Sequence, residues 1–296
     1  MAFEFQYSAK NPSYPVSYFA TKAMHSRLEI VWTGSEEETA RALAQRVEEL
    51  VLGLEREFNR FSDQSPLAVV NLKAGRESVS LSEDMFMALE LCEAFRRGTA
   101  GYFDIATSTS ASQMGAVNYW LEAKNHSVRF ARDGVQLDLG GFAKGFALER
   151  VSALLVKEGI DKALMNFGSS SILALGHHPY GECWSVGVEH LKQHGIVAHQ
   201  VCLNDSAMSV SGRNHKGEYH IVNPLTGASV ASDELILVEG RSALVCEVLS
   251  TALYAMPKSL RAKVISEYEG YRATEILCHE YGSVSINEIG KTENLE

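Results

Sequence analysis

The sequence predicts an α+β fold, with mixed or antiparallel sheets covered by helices. Two observations carry that prediction. Helical and strand-like segments come in runs, without the regular strand–helix alternation that a doubly wound parallel sheet requires. The stretch from about residue 163 to residue 239 is dense in short β-rich segments and is flanked on both sides by helical periodicity. Of the 296 residues, 46% are hydrophobic and 22% charged, which is ordinary for a folded chain with a sizeable core. With no clean linker, residues 1–296 read as one domain, its core over about residues 21–256 and extensions at either end.

In chain order, RLEIVWT (Arg27 to Thr33) alternates as a strand. A long amphipathic helix follows from about Ser35 to Phe58, with Leu43, Val47, Leu50, Val51 and Leu54 at helical spacing and Ser35 as its cap. FNRFSDQSPLAVVN is a polar loop entering a short helical turn, and Ser82 caps a second helix to Arg97. Gly98 and Gly101 bracket a loop presenting GYFD, and Arg129 to Asp138 reads as a hairpin around Asp133-Gly134. A third helix spans Phe142 to Glu158 and stops at Gly159. Strands are expected at Ala163–Phe167, Ser171–Leu175, Trp184–Glu189, Val197–Leu203, Ala207–Val210, Glu218–Val222 and Leu235–Glu239. A last helix, Ser242 to Met256, is ended by Pro257.

The formal net charge of −10 and the lack of a basic stripe argue against a nucleic-acid binder, whose affinity rests on clustered Lys and Arg. No run approaches the ~18 to 20 apolar residues that span a bilayer. As written, the N-terminus has neither an export signal nor a lipid-attachment cysteine, which reads as cytoplasmic, or as periplasmic if a leader has been trimmed. The five scattered cysteines, with no CxxC, suit a reducing compartment better than a disulfide framework.

Four constellations could carry chemistry. In LDLGGFAKGFALE (Leu137 to Glu149), two adjacent glycines lie between a strand and a helix start, where backbone N–H groups attract anions. Lys144 there offers a point charge to phosphate, and Asp138 accepts from a ligand donor or orients the lysine; a turn with an Asp–Lys surface pair is the plainer alternative. Glu247 and Thr251, four apart on a nearly apolar helix, share one face. They suit a hard cation bound with a backbone carbonyl, or a buried glutamate satisfied by its neighbours. His220, opening HIVNPLTG near SVSGR, is a candidate general base or a structural histidine. Cys183, His190, His194, His199 and Cys202 are possible zinc ligands, but at no standard spacing. The serine runs lack a G-x-S-x-G elbow.

In this order, AMHS, FNRFSDQSPLAVVN, GYFD, LDLGGFAKGFALE, MNFGSSSILALG, PYGECWSVGV, SVSGR, HIVNPLTG and EVLSTAL resemble the ApbE-type FAD:protein FMN transferases, from about Thr21 to Met256. The resemblance implies that family's α+β fold with FAD in a cleft between its halves. It implies that Met24, Phe61, Tyr102, Phe103, Asp104, Asp138 and Lys144 contact FAD. The Gly141 carbonyl, Glu247 and Thr251 would bind magnesium, with Ser250 beside them, and His220 and Lys144 would be catalytic. The implied reaction moves FMN from FAD to a Ser or Thr hydroxyl of an acceptor protein and releases AMP. A non-transferring FAD-binding protein and an FAD pyrophosphatase giving FMN and AMP are the alternatives. The chain departs from the family pattern where Glu247 replaces an aspartate, Asn223 an acid and Leu225 an arginine. It departs again at Ser169 in the NxGG segment, at Val210 before Ser211-Gly212, and where AMHS stands for AMGT.

Overall fold

A computed structural model describes residues 3–106, 112–213 and 219–291. Fourteen strands and six α-helices make up the described structure. The strands are β1 (Glu4–Ser8), β2 (Val16–Ala23), β3 (Ser26–Thr33), β4 (Val79–Ser80), β5 (Tyr119–Glu122), β6 (Ser127–Phe130) and β7 (Ala163–Phe167). They continue as β8 (Ser171–Leu175), β9 (Trp184–Glu189), β10 (Val197–Leu203), β11 (Ala207–Ser211), β12 (Glu234–Gly240), β13 (Arg272–Cys278) and β14 (Val284–Glu288). The helices are α1 (Glu37–Phe58), α2 (Pro66–Lys73), α3 (Glu83–Gly98), α4 (Ala143–Lys157), α5 (Ala243–Ala255) and α6 (Lys258–Ser266).

A nine-stranded antiparallel sheet organises the fold, in the order β1-β2-β3-β7-β8-β11-β12-β13-β14. Its period-two alternation divides the apolar residues between two layers. Ile236 and Val238 of β12 join the core under the helices, whereas Leu235 and Leu237 join a second core. Leu173 and Ala207 likewise face the helices, while Ile172 and Met208 face the other way. The second core is closed by the β9–β10 hairpin through Trp184, Val186, Val188, Val201 and Leu203. Each fully buried Leu or Ile contributes ~2 kcal/mol, so both layers are well supplied. A small sheet, β4-β6-β5, lies apart from the main one.

Most long periodic segments form where their spacing places them, and the differences have local causes. Helix α1 starts at Glu37 with Glu36 at its N-cap and no side-chain cap, so Ser35 does not cap it. Ser65 accepts from Ala68 N at 3.0 Å and Pro66 opens α2, turning the expected helical turn into a full helix. The hairpin expected around Asp133-Gly134 is displaced: β6 pairs with β5 across residues 123–126. Gly134 does turn (φ 85°), but the chain then runs without strand pairing into the glycine loop. The strand expected over Glu218–Val222 is also absent among its described residues, where Val222 makes only an isolated bridge to Ser229; Glu218 lies outside them.

One further finding corrects the sequence reading. Cys183 and Cys202 form a disulfide across the base of the β9–β10 hairpin, while Cys92, Cys246 and Cys278 are free and buried. Their pairing also removes both thiols from the zinc alternative, and no group of three His, Cys, Asp or Glu among the described residues is arranged to hold a metal. Strands β1, β2, β13 and β14, outside or at the margin of the expected core, complete both ends of the main sheet. No helix among the described residues is long and apolar enough to cross a membrane.

Candidate functional site

The β2–β3 turn consists of Met24 (φ 51°) and His25 (φ 58°), both in the left-handed region of a two-residue hairpin. Such turns usually use Asn-Gly; two side-chain-bearing residues here store roughly 1 to 3 kcal/mol of strain each. The turn is held from α1, where Glu55 Oε1 accepts from Met24 N at 2.8 Å. His25 meets the Phe61 ring edge-on at 5.9 Å, and the Arg60 guanidinium sits over the same Phe61 ring, 4.5 Å from its centroid. Together with Asp138 and Lys144 they line an alcove of about 150 Å³, whose rim carries a largely exposed Phe61.

The glycine loop joins this alcove to a larger cleft of about 930 Å³. That size falls within the range of small-molecule and cofactor sites. Asp138 Oδ1 accepts from Gly140 N at 2.9 Å and fixes the turn, while Oδ2 forms an ion pair with Arg60 Nε at 3.1 Å. Helix α4 starts with no side-chain cap of its own. Its first turn is met instead from α5: Glu247 accepts from Lys144 Nζ through Oε1 and from Gly145 N through Oε2. Glu247 is 3% exposed, so both contacts are shielded from water. The approach is possible because residue 145 is glycine; a Cβ there would stand 2.7 Å from Leu244 Cα and 2.9 Å from the Ala243 carbonyl.

Beside this pair lies a string of hydroxyls. Ser211 Oγ is 2.9 Å from Ser250 Oγ and 3.3 Å from Thr251 Oγ1, and Ser250 Oγ donates to the Glu247 carbonyl at 3.0 Å. A Cβ at Gly141 would lie 3.6 Å from Thr251 Oγ1, so the glycine loop and α5 touch there. Ser250 is fully buried and backs the site, whereas Thr251 lines the cleft. The donors available for a divalent cation are thus one carboxylate, hydroxyls and a backbone carbonyl, all hard oxygens. That chemistry fits magnesium completed by water and phosphate, provided Glu247 releases one of its present partners.

Tyr102, Phe103 and Asp104 also line the cleft, with Phe103 beside Gly141. Thr99 Oγ1 accepts from Phe103 N at 3.0 Å and anchors the loop to α3. Burial pushes the Asp104 carboxyl above the usual aspartate range, against the pull of the Ala106 N–H (2.8 Å) and Arg96. A raised carboxyl contributes stability below its unfolded value and loses it as pH rises through the folded value. Asp104→Asn, which keeps an oxygen for Ala106 N, should therefore gain stability over the wild type as pH climbs above about 4. Urea unfolding between pH 4 and 8 measures this; parallel curves for the two proteins would contradict it.

His220 lines the same cleft and is exposed. Its segment is tied to α5 by Asn223 Nδ2, which donates to the Ala255 carbonyl at 3.1 Å, and the turn closes with Gly227 N bonded to Asn223 O at 2.8 Å. The cleft thus gathers Tyr102, Phe103, Asp104, Asp138, Gly141, Lys144, His220, Glu247 and Thr251, while Met24 and Phe61 line the alcove. Sequence reasoning missed Arg60, Ser211 and Arg213. Arg60 finds its partner Asp138 only through the fold, so no local spacing marks it. Among the described residues, each Lys or Arg lining the cleft is paired: Arg60 with Asp138, Lys144 with Glu247, and Arg213 with Asp233 at 3.5 Å.

These features define an α+β protein with a cleft of small-molecule dimensions. The chain belongs to the ApbE family, whose model matches residues 24–274. An FAD:protein FMN transferase of Treponema pallidum is 25% identical over 84% of this chain and 76% of its own length. The flavin transferase ApbE of Vibrio cholerae shares the fold with a TM-score of 0.78 at 15% identity, over 93% of this chain and 97% of that one. The ApbE protein of Thermotoga maritima does so with a TM-score of 0.76 at 21% identity, over 95% and 96%. The α+β architecture expected from the sequence is the family's fold.

Proposed function

We propose that this protein transfers FMN from FAD to a Ser or Thr hydroxyl of an acceptor protein, with magnesium, releasing AMP. The observation that carries the reading is the Lys144–Glu247 contact, which joins the glycine loop to α5 on the wall of a nucleotide-sized cleft that His220 also lines. The named function of the family's relatives supports it.

In this reading Phe61 and Tyr102 flank the flavin nucleotide, and the glycine loop lets its backbone approach the diphosphate. Glu247, Thr251 and the Gly141 carbonyl would hold the magnesium ion, which when bound withdraws charge from the diphosphate. His220 takes the proton of the acceptor hydroxyl as its oxygen bonds to the FMN-side phosphorus. The bond from that phosphorus to the bridging oxygen breaks, and Lys144 stabilises the charge that develops on the departing AMP. Exposure of His220 suits a base that must meet a protein substrate. The Cys183–Cys202 disulfide supports a working place in an oxidising compartment.

The test is incubation with FAD, magnesium and a flavin-acceptor domain, followed by mass spectrometry and AMP quantification. Transfer gives an FMN-sized mass gain on the acceptor together with AMP, both stopped by EDTA. FMN and AMP with no adduct would instead indicate a pyrophosphatase. Bound but intact FAD would indicate a binding protein, and either result would refute transfer.

A further inference from the structure

We propose that Glu247 is an exchangeable partner of Lys144 that makes nucleotide binding conditional on a divalent cation. Without the cation, Glu247 holds the lysine and the Gly145 N–H. When a diphosphate enters with the cation, Glu247 turns to the cation and leaves Lys144 to the phosphate. The inference rests on the flavin-nucleotide reading above and specifies how that site is controlled.

Three observations carry it. First, one Glu247 oxygen engages the Lys144 ammonium, which lines the cleft where a phosphate would use it, while the other holds the buried Gly145 N–H in the first turn of α4. A phosphate and this carboxylate therefore compete for Lys144. Second, among the described residues the competition is not relieved elsewhere, because each lysine and arginine lining the cleft already faces a carboxylate. A diphosphate carries about two negative charges into a cleft whose own cations are neutralised, and burying unbalanced charge is costly. Third, oxygen donors that suit a hard cation adjoin the same carboxylate. Thr251 Oγ1 lies against Gly141, and Ser211 Oγ bonds to Thr251. A cation there gives Glu247 a new partner at the moment it loses the lysine.

The length of the glutamate matters. It spans from α5 to two successive residues of α4, a reach that an aspartate, one methylene shorter, does not have while keeping both contacts. Glu247 thus holds Lys144 in the metal-free protein and binds the cation directly once the nucleotide enters. Linkage makes the effect reciprocal: whatever factor the cation adds to FAD affinity, FAD adds to cation affinity.

The experiment measures FAD affinity by flavin fluorescence in EDTA and in magnesium, for wild type, Glu247→Gln and Glu247→Asp, with thermal unfolding of each ligand-free protein alongside. Wild type should bind FAD at least about tenfold more tightly with magnesium. Glu247→Gln frees Lys144, so in EDTA it should bind FAD several-fold more tightly than wild type, and magnesium should add less than about twofold. A merely structural role for Glu247 predicts the reverse, weaker binding in EDTA. A folded Glu247→Gln whose metal-free affinity equals or falls below that of wild type would overturn the proposal, as would a full magnesium effect in that variant. If Glu247→Gln fails to fold, Glu247→Asp decides: tighter metal-free binding than wild type supports the exchange, and unchanged or weaker binding refutes it. Wild-type FAD binding that ignores magnesium sinks the exchange alone. Absence of FAD binding under both conditions sinks the flavin reading together with it.

Discussion

Lys144→Met is expected to destabilise the metal-free protein by about 3 to 5 kcal/mol and to abolish tight FAD binding. Both effects follow from one contact. Glu247 is 3% exposed, and losing the lysine leaves its carboxylate charged, buried and short of a partner. Breaking a buried pair from one side costs far more than replacing both members, because the surviving charge keeps its desolvation penalty. The double variant Lys144→Met/Glu247→Leu should accordingly recover most of the lost stability while still failing to bind FAD tightly. Urea unfolding in EDTA for the two variants and each single one closes the cycle. If the single Lys144 variant lost less than about 1 kcal/mol, the pair would be a weak surface contact and the glycine loop a plain turn.

Gly145→Ala should be nearly as damaging, for steric reasons. The added methyl group would meet Glu247 Oε2 and Leu244 Cα at 2.7 Å and the Ala243 carbonyl at 2.9 Å. Two of those atoms are backbone, so α4 and α5 must separate to admit it. Overpacking of this kind costs about 1 to 3 kcal/mol, and here it also pulls the first turn of α4 away from Glu247. Alanine favours the helix interior by up to about 1 kcal/mol over glycine, so a stabilised variant would show that the two helices are not in contact. Thermal unfolding and FAD binding measured on the same sample distinguish these outcomes.

Helices α1, α3, α4 and α5 were legible because their apolar residues repeat at helical spacing and face one contiguous core. Strands β7, β8, β11 and β12 were legible as short apolar-rich runs because both faces of the main sheet are buried, and β9 and β10 because their buried and exposed residues alternate. The edge strands were not: EFQYS in β1 is half-buried on either side of an exposed Gln6, and β14 has three exposed residues in the middle. Asp133-Gly134 misled because a good local turn does not by itself create a partner strand. At the site, LDLGGFAKG and the Glu247/Thr251 spacing announced themselves on one element each. Their contact, the Arg60–Asp138 pair and the Cys183–Cys202 bond join residues far apart in sequence, and only the packed chain reveals such partners.

The strand order of the main sheet has a consequence for how the protein is made. Its nine strands follow one another across the sheet in the order in which they leave the ribosome. Each new strand therefore finds its neighbour already laid down, and the sheet grows from one edge to the other during synthesis. One junction is slow by comparison, because β7 must return to β3 across the long insertion between Thr33 and Ala163. That insertion carries Lys144, whereas Glu247 emerges only after β12. A nascent chain arrested before α5 would have the glycine loop without its carboxylate, so capture of nucleotide together with cation would report that the sheet has closed through β12.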